Sequence, residues 1–144
     1  MLERLRLAAS TCAVALTLGS AAQAVELEFY FPVAVGGGAA EIIQKMTDDY
    51  MAQTPDVTIN AVYSGSYADT TTRAITASRG GNAPQLAILL SVDLFALLDE
   101  EMILPWDDFI PEAEQDAFFG GFFDSFMRNS QTEGKTWGIP FQRS

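Results

Sequence analysis

Histidine is absent from this chain and cysteine occurs once, at Cys12, so chemistry would have to come from carboxylates, hydroxyls and phenols. Without imidazole or a second thiol, the common nucleophile–base pairs and zinc sites cannot be assembled. Three acidic pairs remain, Asp48-Asp49, Glu100-Glu101 and Asp107-Asp108. Each consists of sequence neighbours near a helix end or turn, where such pairs form a solvated face. A catalytic dyad is defined instead by the spacing of two carboxyl groups across a substrate. The expectation is therefore no catalytic residue, no metal and no cofactor. Tyrosine and serine suit recognition better, because a phenol ring covers the face of a polyol or sugar while its hydroxyl hydrogen-bonds.

The residues at the start of the chain decide what belongs to the fold. Arg4 and Arg6 precede an apolar stretch at 7–18, and Ala22-Gln23-Ala24 is a small-x-small site. Together these describe a secretory signal peptide over residues 1–24, cleaved after Ala24. A membrane anchor is the competing reading, but Ser10, Thr11 and Thr17 interrupt a run already short of the roughly 20 apolar residues that spanning requires. Cys12 lies within that stretch, so residues 25–144 carry no cysteine and no disulfide. Loss of 1–24 removes Arg4, Arg6 and Glu3 and takes the formal charge from -11 to -12. Such a chain repels phosphate backbones and anionic lipid, which argues against nucleic acid and membrane insertion of the mature chain.

Short apolar runs then alternate with helical patterns, the arrangement of βαβ units around a parallel sheet. Strands are expected at 27–31, Val57–Tyr63 and 86–90, and helices at 39–51, 67–78 and 92–98. Ile42, Ile43, Met46 and Tyr50 would form the buried stripe of the first helix. The run at 86–90 is nearly continuous in apolar residues, as for a strand covered on both faces. One or two short helices should follow over 107–126, with their phenylalanines acting as core or sheet cover. A polar turn at 132–135 would then lead to a last strand at 136–140. The fold class is α/β, an open and mostly parallel sheet with flanking helices.

Several runs carry a family resemblance: Phe29-Tyr30-Phe31, Tyr63-Ser64-Gly65-Ser66-Tyr67, Gly81-Asn82-Ala83-Pro84 and Gly138-Ile139-Pro140-Phe141. In this order, behind an export signal, the chain resembles the first third of a family 1 extracellular solute-binding protein of an ABC importer. Within that family it is most similar to the periplasmic glycerol-3-phosphate-binding proteins. The resemblance implies a two-lobed fold of which residues 25–144 form an incomplete N-terminal lobe. It also implies a small-molecule solute held between the lobes, delivery to membrane permease subunits and a periplasmic location.

In an open parallel sheet, ligands bind outside the carboxyl ends of the strands where strand order reverses, and a 2-1-3 order puts that point beside the first strand. Tyr30, Phe31 and Gly36-Gly37-Gly38 follow the first strand, Tyr67 the second and Ser91 the third. The glycines fit backbone N–H contact with an anion or hydroxyl and equally a turn needing positive φ. By resemblance, Tyr67 touches the solute, Ser91 stands where the relatives carry glutamate, and Ser144 aligns with a solute-contacting serine. Asp93 is a substitute acceptor for Ser91, although Ser91-Val92-Asp93 also reads as a helix cap with an acidic first turn. One lobe alone should bind little, since half of a small ligand would remain uncovered. Two other readings stand beside this one. The first is a small exported flavodoxin-like enzyme binding phosphate or nucleotide, although the glycine run lacks G-x-G-x-x-G spacing. The second is a truncated, non-functional fragment.

Overall fold

The computed structural model describes residues 24–32 and 38–142. The signal-peptide reading, Gly36-Gly37 and Ser144 therefore lie outside the described residues. Five strands and five helices follow in chain order: β1 (Val25–Phe31), α1 (Ala39–Gln53), β2 (Val57–Tyr63), α2 (Tyr67–Arg79), β3 (Leu86–Ala87), α3 (Leu94–Asp99), α4 (Glu112–Phe119), α5 (Asp124–Met127), β4 (Gln131–Thr132) and β5 (Lys135–Thr136). The main sheet has the order β2-β1-β3, all parallel, as expected. β1 and β2 pair residue for residue from Val25 with Val57 to Phe31 with Tyr63.

Strand order reverses at β1, so right-handed connections send α1 and α2 to opposite faces of the sheet. Alternation along β1 turns Tyr30 toward α2, where the Arg73 guanidinium stands 5.7 Å from its ring centre. Phe29 and Phe31 point to the other face with their rings 6.3 Å apart, and Phe31 lies 6.2 Å from Tyr63. Phe31, Ile43, Ala74, Leu94, Leu97 and Met127 form the buried apolar core.

The buried side of α1 differs from the expected stripe. Ile43 and Thr47 are buried, whereas Ile42, Met46 and Tyr50 are more than half exposed. Thr47 satisfies its own hydroxyl, which donates to the Ile43 and Gln44 carbonyls, so its burial leaves no unmet hydrogen bond. Met51 continues that side, and its sulfur accepts the Ile59 N–H at 3.1 Å. A count restricted to apolar residues therefore misplaces the face by about one residue, or roughly 100°.

The third strand is shorter than expected, because the ladder covers Leu86 and Ala87 with flanking bonds from Gln85 to Glu28 and from Ile88 to Tyr30. Leu86 and Leu90 are exposed, so the run is not covered on both faces, and β3 is an edge strand among the described residues. The turn after β4 uses Glu133 (φ 55°) and Gly134 (φ 73°), the left-handed pair of a tight hairpin, and β5 returns antiparallel. The last strand ends at Thr136 rather than 140. Trp137 adds one further bond to the hairpin, its backbone N–H donating to the carbonyl of Ser130 opposite, while its indole N–H donates to the Thr132 carbonyl. Phe118, itself partly exposed, packs with Trp106, Phe119 and Phe122, and Phe123 packs edge-on against Phe126, while Phe109 and Phe123 remain largely exposed.

The turn from β2 into α2 is the most tightly specified local structure. Ser66 caps α2 by accepting the Asp69 N–H, and the Asp69 carboxylate accepts the Ser66 N–H and hydroxyl in return. Gly65 has φ +96°, and a Cβ there would lie 2.7 Å from the Asp69 carboxylate, so glycine is required on two counts. The hydrogen bonds from Ser66 hold the Asp69 carboxyl below the usual carboxylate range. A carboxyl with a depressed folded pKa stabilises the fold above its unfolded pKa, and that contribution is lost as pH falls through the folded value. Ser66→Ala is therefore expected to lower unfolding stability at neutral pH by about 1 kcal/mol in urea titration. The difference from the parent should shrink as Asp69 protonates in acid.

Candidate functional site at the strand tips

The carboxyl ends of the three parallel strands gather the segments expected there. β1 ends in buried Phe31 and Pro32. At the tip of β2, the buried Ser64 continues the ladder by donating its N–H to the Phe31 carbonyl at 2.9 Å. Gly65 and the Ser66–Asp69 cap then place Tyr67 as the first residue of α2. Beyond β3 the chain runs through Ile88 to a 3-10 turn at Ser91–Asp93, which leads into α3.

A cleft of about 320 Å³ opens on the α1 side of these tips. Its walls are Pro32 after β1, Ala39, Ile42 and Ile43 at the start of α1, Ile88 after β3, and Phe141, with Gln142 adding an amide. A volume near 300 Å³ with mostly apolar walls lies at the small end of ligand-binding pockets. Of the five cations among the described residues, none lines it. Lys45, Arg79 and Lys135 are held by Asp49, Glu100 and Asp108, and Arg73 stands over Tyr30. No group of three or more acidic, histidine or cysteine side chains able to hold a metal occurs among the described residues.

The expected site residues divide into support and surface. Tyr30 and Phe31 are buried, 9% and 5% exposed, and do not line the cleft. Tyr67 is half-buried and Ser91 exposed, both on the α2 side of the tips. Asp93 is the acidic residue of the 3-10 turn and stands at the N-cap position of α3, but no side chain makes a cap hydrogen bond to either element. Its carboxylate instead accepts the Thr71 hydroxyl at 3.0 Å. The sequence reading missed Ile88 and Phe141 as walls and Thr71 as a partner of Asp93. The Gly138–Phe141 run was visible as a motif, but its position beside α1 comes from the fold.

Comparison with solved structures places this architecture among known folds. CpMnBP1 with mannotriose bound superimposes with a TM-score of 0.68 at 26% identity over 81% of this chain and 28% of that one. A family 1 extracellular solute-binding protein from Alicyclobacillus acidocaldarius matches at TM-score 0.66 and 19% identity, covering 81% of this chain and 28% of its own. The chain has the fold of part of a solute-binding protein. A de novo designed cysteine esterase shares that fold at 18% identity and TM-score 0.66, over 83% of this chain and 28% of that one. This chain has a single cysteine, in the stretch read as a signal, and no histidine to serve as its base. No family model and no curated protein sequence matches. The chain spans about 28% of the length of these solved structures.

Tyr30 offers a direct check on the interior side of the site. Burial, and after it the neighbouring Glu28 carboxylate, push its phenol above the ordinary tyrosine range. An acid with a raised folded pKa gives full stability below its unfolded pKa, and that contribution is lost as pH rises through the folded value. In alkaline denaturation, Tyr30→Phe should remove part of the fall in stability above about pH 10. An unchanged alkaline limb would place Tyr30 in water.

Proposed function

We propose that this sequence belongs to the solute-capturing receptor of an ABC importer, exported to the periplasm and presenting its cargo to membrane permease subunits. The cargo is an uncharged saccharide or polyol, held at the strand tips between the apolar cleft and Tyr67. The carrying observation is the cleft itself: apolar walls at the carboxyl ends of a 2-1-3 sheet, with no cation lining it among the described residues. Apolar side chains suit the C–H faces of a sugar ring, whereas a phosphate calls for arginine, lysine or converging N–H groups. That favours a sugar over glycerol 3-phosphate. The similarity in fold to CpMnBP1 with mannotriose bound supports the same class of cargo. Solute release and capture are hinge motions of two lobes, driven by tighter binding in the closed state. No bond is made or broken.

Titration calorimetry on the protein carrying this sequence tests the reading, with mannotriose and glycerol 3-phosphate as probes. Mannotriose is expected to bind, and Tyr67→Ala should weaken it by at least about tenfold, as for loss of a stacking ring. Binding of glycerol 3-phosphate alone, or unchanged affinity in the Tyr67→Ala variant, contradicts this assignment.

A further inference from the structure

Two of the expected solute contacts, Tyr67 and Ser91, stand at the start of α2 and in the 3-10 turn after β3, and one side-chain hydrogen bond joins α2 to that turn. The Thr71 hydroxyl, one helical turn beyond Tyr67, donates to the Asp93 carboxylate at 3.0 Å, two residues beyond Ser91. Both partners are half-buried. A second link lies further along, where Arg79 pairs with Glu100 at 2.7 Å. Partner numbers rise together in the two links, so α2 and the segment 91–100 run side by side in the same direction. The Thr71–Asp93 bond marks the end of this pairing nearer the strand tips, and Arg79–Glu100 marks the end away from them.

The two links differ physically. Arg79 and Glu100 form an exposed ion pair between long side chains, which fixes little geometry. Thr71 and Asp93 are short side chains, and the bond is charge-assisted and partly shielded from water. Below it, Leu94 and Leu97 anchor α3 in the core. Ser91 itself is exposed, and no side-chain bond from Ser91 ties it to α2. The turn is held by its own backbone bonds and by buried Leu94, and Thr71–Asp93 is the side-chain hydrogen bond that ties it to α2 beside Tyr67.

We propose that Thr71 and Asp93 are a positioning pair: without touching the solute, their hydrogen bond holds the Ser91 turn at a fixed separation from Tyr67. This rests on the solute-binding reading above. Holding two recognition groups in place before binding raises affinity by sparing the ordering cost when the solute arrives.

The test compares Thr71→Val, which keeps shape and removes the donor, with Thr71→Ser, which keeps the donor, and uses Arg79→Ala as a control. In the protein carrying this sequence, Thr71→Val should weaken mannotriose by about tenfold, while Thr71→Ser and Arg79→Ala stay within about twofold of the parent. Adding Thr71→Val to Tyr67→Ala should weaken binding less than it does alone, because one partner of the held pair is already gone. If Tyr67→Ala weakens binding while Thr71→Val does not, the positioning pair is wrong and the solute site stands. If Tyr67→Ala has no effect, both fall. A solute-free readout covers the case in which mannotriose does not bind. Hydrogen–deuterium exchange of the peptide spanning 91–93 should speed up in Thr71→Val and return to the parent rate in Thr71→Ser. Equal exchange in all three overturns the pair whatever the cargo.

Discussion

β1 is hydrogen-bonded along both edges, and the arrangement at the strand tips follows from that constraint. Its seven residues pair with β2 throughout, while Phe29 and Tyr30 also pair with β3. Because the strands are parallel, each connection is a crossover: α1 carries the chain from β1 to β2, and α2 carries it back from β2 past β1 to β3, on the opposite face of the sheet. The gap between them is where Pro32, Ile88 and the start of α1 leave a cleft. That space is a product of topology before it is a product of side chains. Side chains then decide what it accepts.

The same constraint divides labour along β1. Tyr30 is committed to α2 through Arg73, and Phe31 to the opposite face through Phe29 and Tyr63. Neither is left to reach outward. Recognition passes to residues just beyond the strands, where the backbone turns away and side chains regain surface. Tyr67 is held there by the cap of α2 and Ser91 by the turn behind β3. The acidic surface belongs to a different level of description, since it bears on solubility and on repulsion of anions at long range rather than on the cleft.

Much of this was legible in the residues. The β2 bounds came directly from alternation and α2 starts at Tyr67 as expected, although the Ser66–Asp69 cap that fixes that start went unread. The strand order followed from the βαβ pattern together with the family resemblance. The errors share a cause, which is that local patterns do not report partners. Thr47 displaced Met46 from the buried side of α1 because a hydroxyl can bond its own helix. The apolar run at 86–90 promised cover on both faces, but Leu86 and Leu90 are exposed. Ser91-Val92-Asp93 read as a cap with an acidic first turn because sequence shows what precedes a helix. It does not show that Thr71, 22 residues earlier, stands opposite.

The central claim is that cargo sits against the apolar walls at the carboxyl ends of the sheet. Isoleucine methyl NMR addresses it most directly, because Ile42, Ile43 and Ile88 line the cleft while Ile59, Ile75, Ile103, Ile110 and Ile139 do not. On titration with mannotriose, the first three methyl signals should move together along one saturable curve, with the other five nearly still. Saturable shifts confined to Ile103 and Ile110, with the cleft methyls unmoved, would contradict the account.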